Sequence, residues 1–184
     1  MDQINREKLY SQIQDEYGKI TYTYTTHLKE AQLLQKRNRA FKWVQIMLSA
    51  FSSAAFIGLL IKNQKWVNFV GTIVSTSSVI INSYLKDLDQ SSEANKHLEI
   101  SKDLRTVRNK YLSLLTDFNS LSSDEIRNQR DKLQKETDLI FKEELTTSKK
   151  AYEMARMSLK KQDEQFFSQE ELNKMLPEHL RKGD

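Results

Sequence analysis

Two long uncharged runs constrain this chain more than any other feature of its sequence. They extend from Trp43 to Ile61 and from Trp66 to Leu85, and neither contains Asp, Glu, Lys, Arg or His. Only four polar residues, 62–65, separate them. As a helix, each run would be roughly 30 Å long, which matches the hydrocarbon core of a bilayer. The pattern predicts a two-span transmembrane helical hairpin.

A buried hairpin in a soluble helical bundle is the alternative, because Ser, Thr and Asn residues dilute both runs. A soluble helix, however, normally keeps a charged stripe toward water, and no face of either run has one. Trp43 and Trp66 stand at the starts of the runs, where indole rings favour the headgroup region of a membrane. We therefore favour the membrane interpretation.

The composition predicts an all-α fold and argues against enzymatic chemistry. Among 184 residues there are four Gly, one Pro and no Cys, so turns are scarce and thiol catalysis and Cys-based zinc sites are excluded. No glycine-rich phosphate loop is present. The histidines His27, His97 and His179 lack the spacing of a helix-borne metal site. We expect no catalytic residue, metal or cofactor.

Heptad-like seams flank the uncharged runs. Each has apolar residues at steps of three and four, which is typical of helices packed lengthwise in a coiled coil. We expect an N-terminal cytoplasmic helix (1–39), the hairpin (40–86) and a C-terminal cytoplasmic helical region (87–184), with the second span continuing into 87–118. The seams are Tyr10, Ile13, Tyr17, Ile20, Tyr24, His27, Ala31 and Leu34, and Ile100, Leu104, Val107, Tyr111, Leu114, Phe118 and Leu121.

His27 and His97 fall on the two seams, sixteen residues before Trp43 and twelve after Leu85, so the two could lie at similar depth. Ordinary seam histidines are the simpler interpretation, and a pH-sensing pair is the alternative. Gly18 and the threonines after it lower helix propensity, so a break between Gly18 and Tyr22 is an open alternative.

Further along the chain, two Ser-x-x-Glu capping boxes predict helix starts at Ser122 and Ser168. We expect the first of these helices to continue to about Gln165, and the second to be short and to end before Pro177. The expected seam of the longer helix is Phe141, Leu145, Tyr152, Ala155 and Leu159.

Basic residues set the expected topology. Four cations precede the first run and outweigh the two lysines between the runs, so the positive-inside rule places both termini in the cytoplasm. Elsewhere Lys and Arg alternate with Asp and Glu, which is typical of a solvated helix surface, and we expect no nucleic-acid partner. The expected membrane-interface residues are Lys36, Arg37, Arg39, Lys42, Trp43 and Trp66.

Polar side chains of the second run share one helical face, interrupted by Val79. In an oligomer this face could line an aqueous path, or its hydroxyls could bond between helices. The pore-lining candidates are Asn68, Thr72, Ser75, Thr76 and Asn82. In the first run, residues spaced by four form a small-residue seam for helix packing, namely Ala50, Ala54 and Gly58.

The layout resembles the SLATT family of two-span bacterial effectors, which associate with nucleotide-second-messenger synthases and nucleotide-sensing SLOG domains. The likeness covers approximately residues 15–110 and is carried by Tyr22–Ala31, by Lys36–Trp43 and by the hairpin. The resemblance implies pore formation in the bacterial inner membrane during anti-phage defence. It also implies activation by a nucleotide second messenger or by a separate sensor protein.

The sequence alone thus predicts a homo-oligomeric, pore-forming effector whose partner is the lipid bilayer. A membrane-anchored coiled-coil scaffold that recruits a soluble partner is the rival. A soluble helical adaptor is a third interpretation, which the uncharged runs disfavour.

Overall fold

The computed structural model describes the backbone of residues 2–61, 65–87, 90–142, 145–162, 164 and 167–181. The side chains of 2–3, 52–61, 65, 67–68, 82, 84–87 and 90 lie outside the described part. All regular elements in these ranges are helical, without a strand, which confirms the all-α class. They are α1 (Asp2–Ile61), α2 (Lys65–Asp87), α3 (Gln90–Thr116), α4 (Ser123–Lys142), α5 (Lys149–Lys160), α6 (Gln169–Met175) and a 3₁₀ turn (Glu178–Leu180).

The described chain divides into two compact units. The first comprises residues 1–29 and 100–184, and the second comprises residues 30–99. The predicted continuity between the second uncharged run and the next helix falls on Leu88 and Asp89, which lie outside the described residues.

Helix α1 runs without interruption for 60 residues, so the break considered between Gly18 and Tyr22 is wrong. The threonine hydroxyls there donate to carbonyls one turn back within the helix. Thr21 Oγ1 donates to Tyr17 O at 2.7 Å, and Thr25 Oγ1 donates to Thr21 O at 2.8 Å. These bonds satisfy the hydroxyls without opening the helix. Packing of this stretch then outweighs its low helix propensity.

The core of the first unit confirms most of the two predicted seams, but Tyr10 of the first seam is 38% exposed and Leu9 is buried in its place. Ile13, Ile20 and Tyr24 of α1 belong to one buried cluster with Leu104 and Tyr111 of α3. Burying several such side chains, at roughly 1.5–3 kcal/mol each, is the main force that holds the helices together. The same cluster contains residues outside the predicted seams, namely Leu9, Ile126 and Leu133.

The turn between α3 and α4 is fixed at both ends. As predicted, Ser122 caps α4: its N–H donates to Glu125 Oε2 at 2.8 Å, and Glu125 N–H donates to Ser122 Oγ at 3.3 Å. Arg6 of α1 reaches the same turn, donating from Nη2 to Phe118 O at 2.9 Å and from Nη1 to Leu121 O at 3.2 Å. Arg6 thus supplies hydrogen-bond donors to two carbonyls of the turn that follows α3.

The single charged helix predicted to continue to Gln165 is wrong. Helix α4 ends at Lys142, and α5 begins at Lys149 with Ser148 as its N-cap, whose Oγ accepts from Ala151 N–H at 3.2 Å. The Thr146-Thr147-Ser148 stretch combines β-branched residues with a capping hydroxyl, which favours a helix start. The break changes the helical phase, so Phe141 and Tyr152 of the predicted seam are exposed, whereas Ala155 is fully buried.

Helix α5 buries a face of small residues, Ala151, Ala155 and Ser158. Its contacts are with α1: the Tyr152 ring lies 5.1 Å from the Tyr22 ring, between centroids. Small side chains at steps of four and three let two helices approach closely. Helices α1, α3, α4 and α5 thus form the body of the first unit.

Helix α6 has the predicted capping box, with Ser168 N–H donating to Glu171 Oε2 at 2.8 Å and Glu171 N–H donating to Ser168 Oγ at 3.2 Å. It ends before Pro177, as expected. None of its residues is buried.

Candidate functional site

The uncharged segments expose large apolar side chains on both α1 and α2. Trp43 is 67% exposed and Trp66 is 74% exposed. Soluble monomers rarely leave so many large apolar residues uncovered in one region. This surface therefore requires a cover that the single chain does not supply. Its members are Trp43, Val44, Ile46, Met47, Phe51, Trp66, Phe69, Ile73, Val79 and Ile80.

The polar face of α2 lies opposite its most covered side. Val70, Val74 and Ile81 are half-buried, and at about 100° per residue they share one side of the helix. The candidates Thr72, Ser75 and Thr76 are exposed on the other side. The contacts of this chain with itself thus leave its hydroxyl-rich face open. The side chains of Asn68 and Asn82 lie outside the described part.

The small-residue seam of the first run is described only at its start. Ala50 is exposed, and the side chains of Ala54 and Gly58 lie outside the described part. The role of this seam in helix packing stays a prediction.

Four exposed cations, Lys36, Arg37, Arg39 and Lys42, form a basic collar on α1 just before the first uncharged segment. Arg37 holds its guanidinium carbon 5.7 Å from the centroid of the Phe41 ring. Within the same unit, Asn38 Nδ2 donates to Ser91 Oγ of α3 at 2.6 Å. A band of positive charge thus adjoins the exposed apolar surface.

The described residues contain neither a helix apolar enough to span a membrane nor a metal-binding cluster. No helix among them combines the length and the mean hydropathy needed to cross a bilayer. No group of three or more His, Asp or Glu side chains among them is arranged to hold a metal ion.

A charged contact that sequence analysis missed joins the far end of α5 to α1. Lys29 is nearly buried, and its Nζ lies 2.8 Å from Glu164 Oε2. The Lys29 ammonium, followed by the Ser158 hydroxyl, lowers the pKa of the Glu164 carboxyl below its usual value. The partners are 135 residues apart, so no local pattern indicates the pair.

Two tyrosine hydroxyls of the first unit are buried without a hydrogen-bond partner of acceptable geometry, those of Tyr22 and Tyr111. Burial, followed by the neighbouring Tyr152 hydroxyl, raises the pKa of Tyr22 to about 12. Burial, followed by the Glu16 carboxylate, raises the pKa of Tyr111 to about 12. Both side chains are therefore neutral at physiological pH.

The two seam histidines are fully buried, His27 in the first unit and His97 in the second. Complete burial agrees with seam positions for both. A pH-sensing role for the pair stays a prediction.

Comparison with known proteins gives one family. Neither a curated protein nor a solved structure matches this chain. The model of the "SMODS and SLOG-associating 2TM effector domain family 4" matches residues 9–171, which covers the seams, both uncharged segments and most of the C-terminal region. The match confirms the resemblance drawn from the sequence, and the chain belongs to this SLATT family of effector domains.

Proposed function

We propose that this chain is an oligomeric, pore-forming effector that permeabilises the bacterial inner membrane during anti-phage defence. The observation that carries the proposal is the arrangement of α2. The side of α2 that carries Val70, Val74 and Ile81 is partly covered within the chain, while Thr72, Ser75 and Thr76 are exposed on the opposite side. Neighbouring Phe69, Ile73 and Ile80 are exposed as well and would face lipid.

In a bilayer, exposing a hydroxyl side chain to hydrocarbon gives no favourable free energy. They are satisfied by their own helix, by another helix or by water. Because Thr72, Ser75 and Thr76 are exposed to solvent in the single chain, further copies of the chain would cover this face. A ring of copies would place these hydroxyls around a shared aqueous path.

The lengths of the helices support this arrangement. Helix α2 has 23 residues and measures roughly 34 Å, enough to span a hydrocarbon core. Its hydroxyl and amide residues reduce its mean hydropathy, and in an oligomer the same residues would be withdrawn from lipid.

The proposed topology rests on the basic collar. Four exposed cations there would be retained on the cytoplasmic side and would contact anionic headgroups. Both termini would then be cytoplasmic. Since the chain lacks cysteine, a cysteine at Asn63, which lies outside the described residues, should react with an impermeant maleimide in intact cells, and one at exposed Asn128 should not. The reverse labelling pattern would overturn this topology.

The cue that opens the pore would come from the cytoplasm. The family description names association with SMODS and SLOG, which supports either a nucleotide second messenger or a separate sensor protein as the activating partner. The first unit, a helical body with exposed charged faces, would receive it.

A leakage assay tests the proposal. Replacing both Thr72 and Thr76 by Val keeps their shape but removes two hydroxyls from the proposed water-lined face, leaving a constriction that gates by dewetting. Ion leak per assembled particle should fall several-fold, with insertion and particle size unchanged. The matched control changes Ile73 and Ile80 to Val on the adjoining apolar face, and it should leak almost as the parent does.

The rival is a membrane-anchored scaffold that recruits a soluble partner. Helix α6, in which no residue is buried, is the observation that favours it. Undiminished leak from fully assembled Thr72→Val/Thr76→Val protein would remove the pore-lining assignment. Absence of leak from the parent under all activating conditions would favour the scaffold.

A further inference from the structure

Helix α6 is a folded element with no residue buried against the rest of the described chain. The capping box at Ser168 fixes its start, yet no residue of α6 or of the following 3₁₀ turn is buried. Leu172 and Met175 are three residues apart and form one ridge with half-buried Leu176. Phe167 and Leu180, on either side, are 59% and 56% exposed. A short helix with an uncovered apolar ridge is typical of a segment that docks elsewhere.

The net negative charge of this segment argues against an anionic membrane as its partner. From Phe167 to Leu180 it carries Glu170, Glu171 and Glu178 against a single Lys174. Anionic headgroups would repel such a helix, because the negative surface potential attracts cations. The partner of α6 should instead present a basic rim around an apolar patch.

The outer face of α5 has this chemistry. Residues 149–161 contain five basic residues and one acidic residue, Glu153, and all six charged side chains are exposed. At about 100° per residue, Met157 lies on the same side of α5 as Lys150, Lys160 and Lys161, and its side chain is 44% exposed. The opposite face of α5 is already buried through Ala151, Ala155 and Ser158. The basic residues are Lys149, Lys150, Arg156, Lys160 and Lys161.

We propose that α6 of one copy docks on the outer face of α5 of a second copy. The ridge of Leu172 and Met175 would cover Met157, and the α6 carboxylates would meet the flanking lysines. A second copy is the occupant, because the exposed charges of α6 and α5 are complementary and no residue of α6 is buried against its own chain. The opposite charges of the two helices contribute more to the specificity of this pairing than to its affinity. This contact would link the first units of neighbouring chains independently of any contact within a membrane.

Cross-linking in the full-length chain tests the proposal directly, since there is no native cysteine. One copy carries Met157→Cys and one epitope tag, and a second copy carries Met175→Cys and another tag. When the copies are coexpressed and treated with a short bis-maleimide, a product with both tags should form. The matched control replaces Met157→Cys by Leu139→Cys on α4, which is 63% exposed, and should give at most a trace.

Charge reversal provides a second, independent test of the proposed contact. Glu170→Lys with Glu178→Lys should reduce the two-tag product at least several-fold. Adding Lys149→Glu and Lys160→Glu to the other copy should restore it. All four side chains are exposed, so these changes leave the helical body intact.

Three results would overturn the proposal. One is a two-tag product no stronger than that of the Leu139 control. Another is a cross-link formed only within a chain that carries both cysteines, which would show that α6 docks on its own α5. The last is an amount of two-tag product that does not change on charge reversal. Leakage is not part of these measurements, so failure here and failure of the pore proposal are distinguishable.

Discussion

Truncating Leu104 measures how much the packed seams contribute to the fold. Leu104 of α3 is completely buried in the cluster that joins α1, α3 and α4. Leu104→Ala should lower the free energy of unfolding by about 3 kcal/mol, from lost burial and from the cavity left behind. For a chain of this size, that corresponds to a fall of roughly 6–12 °C in Tm.

The assay is thermal unfolding of the full-length chain in detergent, followed by near-UV circular dichroism. Leu112→Ala is the control, because Leu112 lies on the same helix but is 44% exposed. Its effect should stay within about 0.5 kcal/mol, as for most surface changes. Equal shifts for the two variants would refute the assignment of Leu104 to the packed seam.

Tyr111→Phe removes a buried hydroxyl without a partner, so Tm should stay equal or rise slightly. The pKa of Tyr111 is raised from 10.0 to about 12, so its neutral form stabilises the fold below pH 10, and this stability is lost as the pH rises toward 12. Tyr111→Phe should therefore reduce the fall of Tm at alkaline pH. The lowered pKa of Glu164 means that its contact with Lys29 stabilises the chain above about pH 4.5 and is lost as the pH falls through the lower folded value, so Glu164→Gln should flatten the acid limb of a Tm profile. Ser122→Ala should lower Tm by roughly 2–4 °C through loss of the α4 cap, and an unchanged Tm would show that Glu125 alone holds the turn.

The packed seams were predictable because the signal is local and periodic. Ile13, Ile20, Leu104 and Val107 follow steps of three and four along uninterrupted helices, so one phase describes each seam. The capping boxes at Ser122 and Ser168 were predictable for the same reason, since the residues that make each box lie within one turn.

The seam of the C-terminal region was not predictable by this argument. The predicted seam assumed one helical phase across residues 143–148. A new helix starts at Ser148, so one phase does not describe both Phe141 and Tyr152. The contact between Lys29 and Glu164 has no sequence signal, because burial of the lysine depends on the position of α5. The polar face of α2 was visible in the helical periodicity, but its position opposite the covered side required coordinates.

The hydrogen bonds of Arg6 have a consequence for the order in which the chain assembles. They join residue 6 to residues more than 110 positions later, and the α1 seam likewise packs against α3. At about 5–20 residues per second, synthesis of the roughly 90 residues between these seams takes on the order of 5–20 s. Throughout that interval the amphipathic start of α1 has no partner, and both uncharged segments leave the ribosome before α3 does. Under the proposed function, insertion of the uncharged segments would therefore begin before the helical body can close.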